Sequence, residues 1–302
     1  MPYAQGVNQN TYIKLEGVGG TLDPAVAWIP LRLITNGLSQ SVEELESDEM
    51  LPGRHMAESR SGVSSVAGDL EAELTYGTFD MLLEAAFHGT WTANVLKTGS
   101  TRRKFAILKH NEDIGRWLIY RGCEVGTVAI DCPLQGKIGI TFSMIGTKEE
   151  PYVYDALTES IADPTETVMM TTFEGSLTEG GAGLNHATAL NLSLDNGMEA
   201  IYRLFSRDAY DIKLGRINVS GSLSAYIEDN RLKDKYLGET KTPLVITLTD
   251  GENSYQVSMT KAKLTTSSEE GSGDDPIIQS YDFRAFNDSA VDTEITITRI
   301  PA

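Results

Sequence analysis

The residues able to do chemistry in this chain are few and far apart. There are four histidines, His55, His88, His110 and His186, and two cysteines, Cys123 and Cys132. No histidine lies four residues from another and no H-E-x-x-H pattern occurs, so no helical face offers paired imidazoles to a metal. Two cysteines without a neighbouring histidine make a poor zinc site and, in a reducing compartment, read as free thiols. The glycine runs at 17–20 and 180–183 lack the G-K-[ST] ending with which a loop cradles phosphate, and no G-x-S-x-G elbow is present. The acidic run at 269–275 lacks the alternating ligands of an EF-hand and reads as a solvated hairpin tip. His88 falls at a helix end, where an imidazolium would suit the dipole, a structural role. The expectation is therefore no catalytic residue, no cofactor, no metal, and no enzyme.

Composition narrows the classes further. The chain has 302 residues, 40% of them hydrophobic and 23% charged, with a net charge of −18. That length suits two domains, and that charge repels nucleic acid taken as a whole. No apolar run approaches the ~18 residues needed to cross a bilayer, and the start lacks the basic head and apolar stretch of a secretory signal. The expectation is a product of the cytosol, with no membrane partner and with the Asn-x-Ser sites at Asn191, Asn218 and Asn287 accidental.

The elements that would position any site are repeated. Val66-Ala67-Gly68-Asp69-Leu70-Glu71-Ala72 and Val219-Ser220-Gly221-Ser222-Leu223-Ser224-Ala225 share the pattern V-x-G-x-L-x-A, each a strand with one buried face. A glycine-rich turn, a strand and an Asn-Gly (Asn36-Gly37, Asn196-Gly197) precede each. A short helix follows each. In the first, Phe79, Leu82, Leu83, Ala86 and Phe87 form an apolar stripe, with Thr78 as cap and Gly89 as stop. In the second, Leu232 and Tyr236 stand four apart, with Asp229 or Asn230 as cap and Gly238 as stop. Hairpins at 105–120 and 244–259 come next, then closing strands at 137–145 and 279–286. The fold expected is mainly β: two tandem β-sandwich or barrel domains, 1–150 and 165–302, each with one short flanking helix, joined by an extended polar linker at 151–164.

The halves differ at one place. Residues 46–60 carry charge, proline, glycine and methionines but no periodicity, and read as a long exposed loop. The whole order, turn, strand, Asn-Gly, long loop, V-x-G-x-L-x-A strand, helix, hairpin and last strand, resembles the tail tube proteins of tailed bacteriophages, in the duplicated form found in long non-contractile tails. The resemblance implies a structural virion protein assembled in the bacterial cytoplasm. Three subunits would form a pseudo-hexameric ring, and stacked rings a hollow tube through which DNA passes without specific binding. It implies as partners other copies of the chain, a tape-measure protein, and tail tip and tail terminator proteins. The long loop becomes the candidate inter-ring contact, through Glu49, Met50, Leu51, Arg54, Met56 and Glu58. With no further domain after residue 300, the tube would be smooth outside. Two other readings stand beside it: another ring-forming phage protein, of tail completion or capsid decoration, and a two-domain sandwich of binding or adhesin type. A binding module would cluster exposed aromatics, whereas Trp28, Trp91 and Trp117 are scattered over the first half.

Overall fold

The computed structural model describes residues 3–49, 55, 58–271 and 273–302. In the first half, β1 (Gln9–Leu15), β2 (Ile29–Leu31) and β3 (Thr35–Asn36) lead into β4 (Ser39–Glu46) and β5 (Ser59–Glu73). Helix α1 (Asp80–Phe87) and β6 (Val95–Lys97) precede β7 (Phe105–Asn111), β8 (Arg116–Cys132), β9 (Gly139–Gly146) and β10 (Lys148–Tyr152). The second half begins with β11 (Ser176–Glu179), β12 (Ala182–Gly183), β13 (Ala187–Asp195), β14 (Glu199–Ile201), β15 (Asp211–Lys213) and β16 (Asn218–Tyr226). It ends with α2 (Arg231–Leu237), β17 (Thr242–Thr249), β18 (Ser254–Leu264), β19 (Ser268–Glu270), β20 (Ile278–Ala285) and β21 (Thr296–Ile300). The mainly β fold with two short helices is as the alternation of apolar residues led one to expect.

One main sheet runs through both halves. Its order is β4-β5-β9-β8 and then, without a break, β13-β16-β20, with β18 and β19 along the far side of β20. The junction pairs Thr127 to Cys132 of β8 with Asp195 to Leu190 of β13. A second layer is β2-β1-β7-β8-β10 in the first half and β12-β11-β17-β18-β21 in the second, where β21 also takes β6 on its other edge. Strand β8 thus begins in one layer and ends in the other, with irregular register at Val125/Thr127.

The repeated strands occupy like registers. Val66 faces Gly146 and Val219 faces Ala285; Leu70 faces Phe142 and Leu223 faces Tyr281. Their glycines sit where backbone or ring comes too close for a side chain. A Cβ on Gly68 would lie 2.4 Å from the Gly37 carbonyl oxygen, and one on Gly221 would lie 2.2 Å from that of Asn191. Apolar side chains of paired strands stack in rows on the inner face, such as Leu70, Phe142, Val128, Leu194 and Val219, and α1 lays Leu82, Leu83, Ala86 and Phe87 into the same core.

Several local expectations need correction. Residues 46–60 are not all loop: Glu46 pairs with Ser59 and Leu45 with Arg60, so β4 and β5 form a hairpin that ends in solvent-exposed residues. Both faces of its outer part meet solvent, which removes the alternation that marks a half-buried strand. Strand β8 continues well past Tyr120, through Gly122 and Gly126, which had hidden it. The two Asn-Gly pairs are not in like places, since Asn36 precedes β4 and Asn196 follows β13. Strands β10 and β21 follow the strands taken as last. The segment taken as an extended linker is preceded by β10, whose last residues it contains, and then lies over Trp28, whose amide donates to the Ser160 carbonyl at 2.8 Å. Helix α1 has no side-chain cap, because its N-cap position is held by Phe79 and not by Thr78, and it stops at His88, not Gly89 (φ 49° at His88). His88 is buried, and burial lowers its proton affinity, so it gives no cation to the helix dipole.

Candidate functional site

The main sheet has a second face, and its composition is the opposite of the core. Register carries one row across it as Glu71, Thr141, Ala129, Ser193, Ser220, Arg284 and Lys263. The next row is Glu73, Gly139, Asp131, Asn191, Ser222 and Asp282. A third begins Asp69, Ser143, Thr127 and Asp195. These rows hold no aromatic and no large aliphatic side chain. Small hydroxyls and carboxylates dominate, and the two cations lie at one end.

The two margins of this sheet are open. Among the described residues, β4 pairs only with β5 and β19 only with β20. An unpaired margin presents N–H and C=O groups in a row, a template for another strand. Beyond the margin, the β4–β5 arm projects with Val42, Glu43, Glu44, Leu45 and Glu46 all exposed. Of the residues expected to contact a neighbouring ring, Glu49 and Glu58 are exposed at the arm's end, where the Ser47 amide donates to the Glu58 carbonyl at 2.9 Å. Met50, Leu51, Arg54 and Met56 lie outside the described residues.

The connection at the same place in the second half, residues 196–217, behaves differently: it folds back on the first half. Asn196 is buried, and its amide donates to the carbonyls of Ala86 (2.9 Å) and Val125 (3.2 Å). The β14–β15 hairpin is tied down by charge. Arg102 grips the buried Glu124 through two nitrogens, at 2.6 and 3.1 Å, and also donates to the Ile212 carbonyl at 2.6 Å. Lys104 meets Asp211 at 2.6 Å. Burial tends to raise the Asp211 pKa, but the hydrogen bond from Lys104 and the nearby Arg102 outweigh it and hold the carboxyl below its ordinary value. Glu124 in turn raises the Arg102 pKa. Sequence reasoning singled out none of these residues; a glutamate in an otherwise buried strand, Glu124, was the available signal.

The reactive groups are held apart. His110 stacks on Trp117 with centroids 3.7 Å apart, and His186 meets Glu228 at 3.1 Å. Burial pushes the Cys132 thiol up to about 12 and that of Cys123 higher still, so neither is a ready nucleophile at neutral pH. Among the described residues no three His, Cys, Asp or Glu side chains converge to hold a metal, and no helix is long and apolar enough to cross a membrane. What remains is a surface built for strand pairing. A family model described as phage tail tube protein matches residues 6–285. The chain belongs to that family. No curated protein matches it. As a member of the tail tube family it is a structural component of the virion tail, and it self-assembles into a tube. The open margins and the arm are accordingly the surfaces to examine for assembly.

Proposed function

We propose that the chain is two copies of one unit, residues 1–150 and 165–302 joined by 151–164, and that three chains close a pseudo-hexameric ring. The junction inside the chain carries this reading, because it can serve as the template for the junction between chains. Across it, Ser193 of β13 faces Ala129 of β8. Ser193 pairs with Ser220, the residue after the repeated valine, just as Ser39 of β4 pairs with Ala67. Ala129 pairs with Thr141 of β9, and Ser268 of β19 pairs with Ser280 at the same register of β20. Ser39 of one chain should therefore stand opposite Ser268 of the next. Closing the ring this way removes both free edges.

In such a ring the hydroxyl- and carboxylate-lined face turns to the lumen. Its excess negative charge keeps passing DNA from adhering, so DNA ejection needs no specific contact. The arm reaches the adjacent ring in the stack, through Glu49, Met50, Leu51, Arg54, Met56 and Glu58. Rings assemble in the bacterial cytoplasm around a tape-measure protein, between tail tip and terminator proteins, in a long non-contractile tail. No reaction is catalysed.

The test is the register. In tails assembled from a mixture of Ser39→Cys and Ser268→Cys chains, oxidation should give interchain dimers, and Ser39→Cys with Ser280→Cys, one strand further in, should not. Imaging of the same tubes should give three chains per ring. Tubes that form with another ring symmetry and no Ser39–Ser268 link would refute the closed, duplicated ring.

A further inference from the structure

We infer that the tip of the β14–β15 hairpin is the seat for the β4–β5 arm of a second copy of this chain. The inference deepens the proposed inter-ring role of the arm, and rests on it, by naming what the arm meets.

The tip is an unusual piece of surface. Leu204 is 84% exposed and Phe205 wholly so, side by side, whereas Phe79, Phe87, Phe105, Phe142 and Phe283 are buried. Phe205 also holds φ at +65°, the left-handed region that is costly for a bulky side chain. Arg203 and Arg207 flank the pair, both exposed, and among the described residues neither meets a carboxylate, in a chain of net charge −18. The tip is not a loose loop. Tyr202 donates its hydroxyl proton to the Ser64 carbonyl at 3.1 Å, the Ser64 amide donates to the Arg207 carbonyl at 2.9 Å, and the Ser64 hydroxyl bonds Asp208 at 2.7 Å. The Arg203 guanidinium lies 4.9 Å over the Tyr210 ring. Two apolar side chains and two free cations are thus held out to solvent on a fixed base. That arrangement fits a partner offering apolar side chains set among carboxylates.

The arm offers that chemistry. Val42 and Leu45 are each 53% exposed, and Glu43, Glu44 and Glu46 are exposed without a cation partner among the described residues. The arm of the same chain does not cover the tip, since its strands are committed to each other by Glu44–Ser61, Leu45–Arg60 and Glu46–Ser59. Both surfaces stay open in one chain, and each supplies what the other lacks.

The experiment uses tails assembled from two single-cysteine chains, Leu45→Cys and Leu204→Cys, with the unsubstituted chain as control for Cys123 and Cys132. Oxidised tubes should yield an interchain dimer only when both variants are present. Separately, Arg203→Glu with Arg207→Glu should reduce tube formation at least tenfold with the subunit still folded and its thermal midpoint lowered no more than by Tyr210→Ala, which removes the ring under Arg203 and keeps both cations, and Glu43→Arg with Glu44→Arg should restore it. Normal tubes from the Arg203→Glu, Arg207→Glu chain without a Leu45–Leu204 link would overturn the inference. Deleting residues 51–57 separates the two claims. If deletion blocks stacking while the tip variants stack normally, the arm keeps its role and the tip is not its seat. If the deletion variant also forms normal tubes, the contact assigned to residues 51–57 falls, and the seat stands or falls on the Leu45–Leu204 link.

Discussion

The connections β4–β5 and β13–β16 begin and end on strands of like register, yet one projects and the other is folded away. The first joins the strands of a hairpin whose outer described residues, Val42 to Glu49 and Glu58 to Ser61, are all exposed. The second, residues 196–217, buries Asn196 and pins β14 and β15 to the first half through Arg102, Lys104 and Asp211. Equal places in a sheet therefore do not give equal loops. What separates them is whether the segment supplies polar groups that answer buried groups beneath it: Asn196 meets two carbonyls left over by α1 and β8, whereas Glu43, Glu44 and Glu46 of the arm have no side-chain partner among the described residues. The second connection is bonded to its own chain, and the outer residues of the first are left exposed.

That contrast can be broken most strongly at Arg102. Replacing Arg102→Met leaves the buried Glu124 with only the more distant Lys104 ammonium, at 3.9 Å, and should cost up to the roughly 3–5 kcal/mol of breaking a buried pair. Chemical denaturation should show that loss, while Glu44→Ala on the arm should stay within about 0.5 kcal/mol of the parent chain. Equal effects at the two sites would erase the distinction. Next in size, Asn196→Ala leaves the Ala86 and Val125 carbonyls without this donor and should cost about 1–3 kcal/mol by the same measurement. The smallest effect tests the ion pairs alone. Asp211 has a folded-state pKa below its ordinary value of 3.8, so its stabilisation is present above that pH and is lost as pH falls through the folded value. The stability difference between the parent chain and Asp211→Asn should therefore be constant near neutrality and shrink below about pH 3.8. A difference that persists undiminished at lower pH would assign the role of Asp211 to packing, not charge.

Much of this architecture was legible wherever a strand buries one face. The Val66 and Val219 segments alternate cleanly and sit at like registers, and Leu82, Leu83, Ala86 and Phe87 mark α1 without ambiguity. Legibility failed where burial is two-sided or absent. The end of β8 from Gly122 to Cys132 mixes glycines, a buried glutamate and thiols, because it is covered by strands on both edges and by charge partners remote in sequence. The outer ends of the arm's strands, Glu43 to Glu46 and Ser59 to Ser61, bury neither face, so nothing there imposes a period. The polar rows of the main sheet were in the sequence all along as the even positions of each strand. Only the register, which no single strand contains, brings Glu71 into line with Ser193 and Asp282 beside Ser222.

The seam between β8 and β13 has a mechanical consequence. Six consecutive residue pairs, Leu190–Cys132 to Asp195–Thr127, would have to separate before the halves could hinge against each other. A filament of such subunits is stiff within each polypeptide, so curvature and shear are taken up where separate molecules meet.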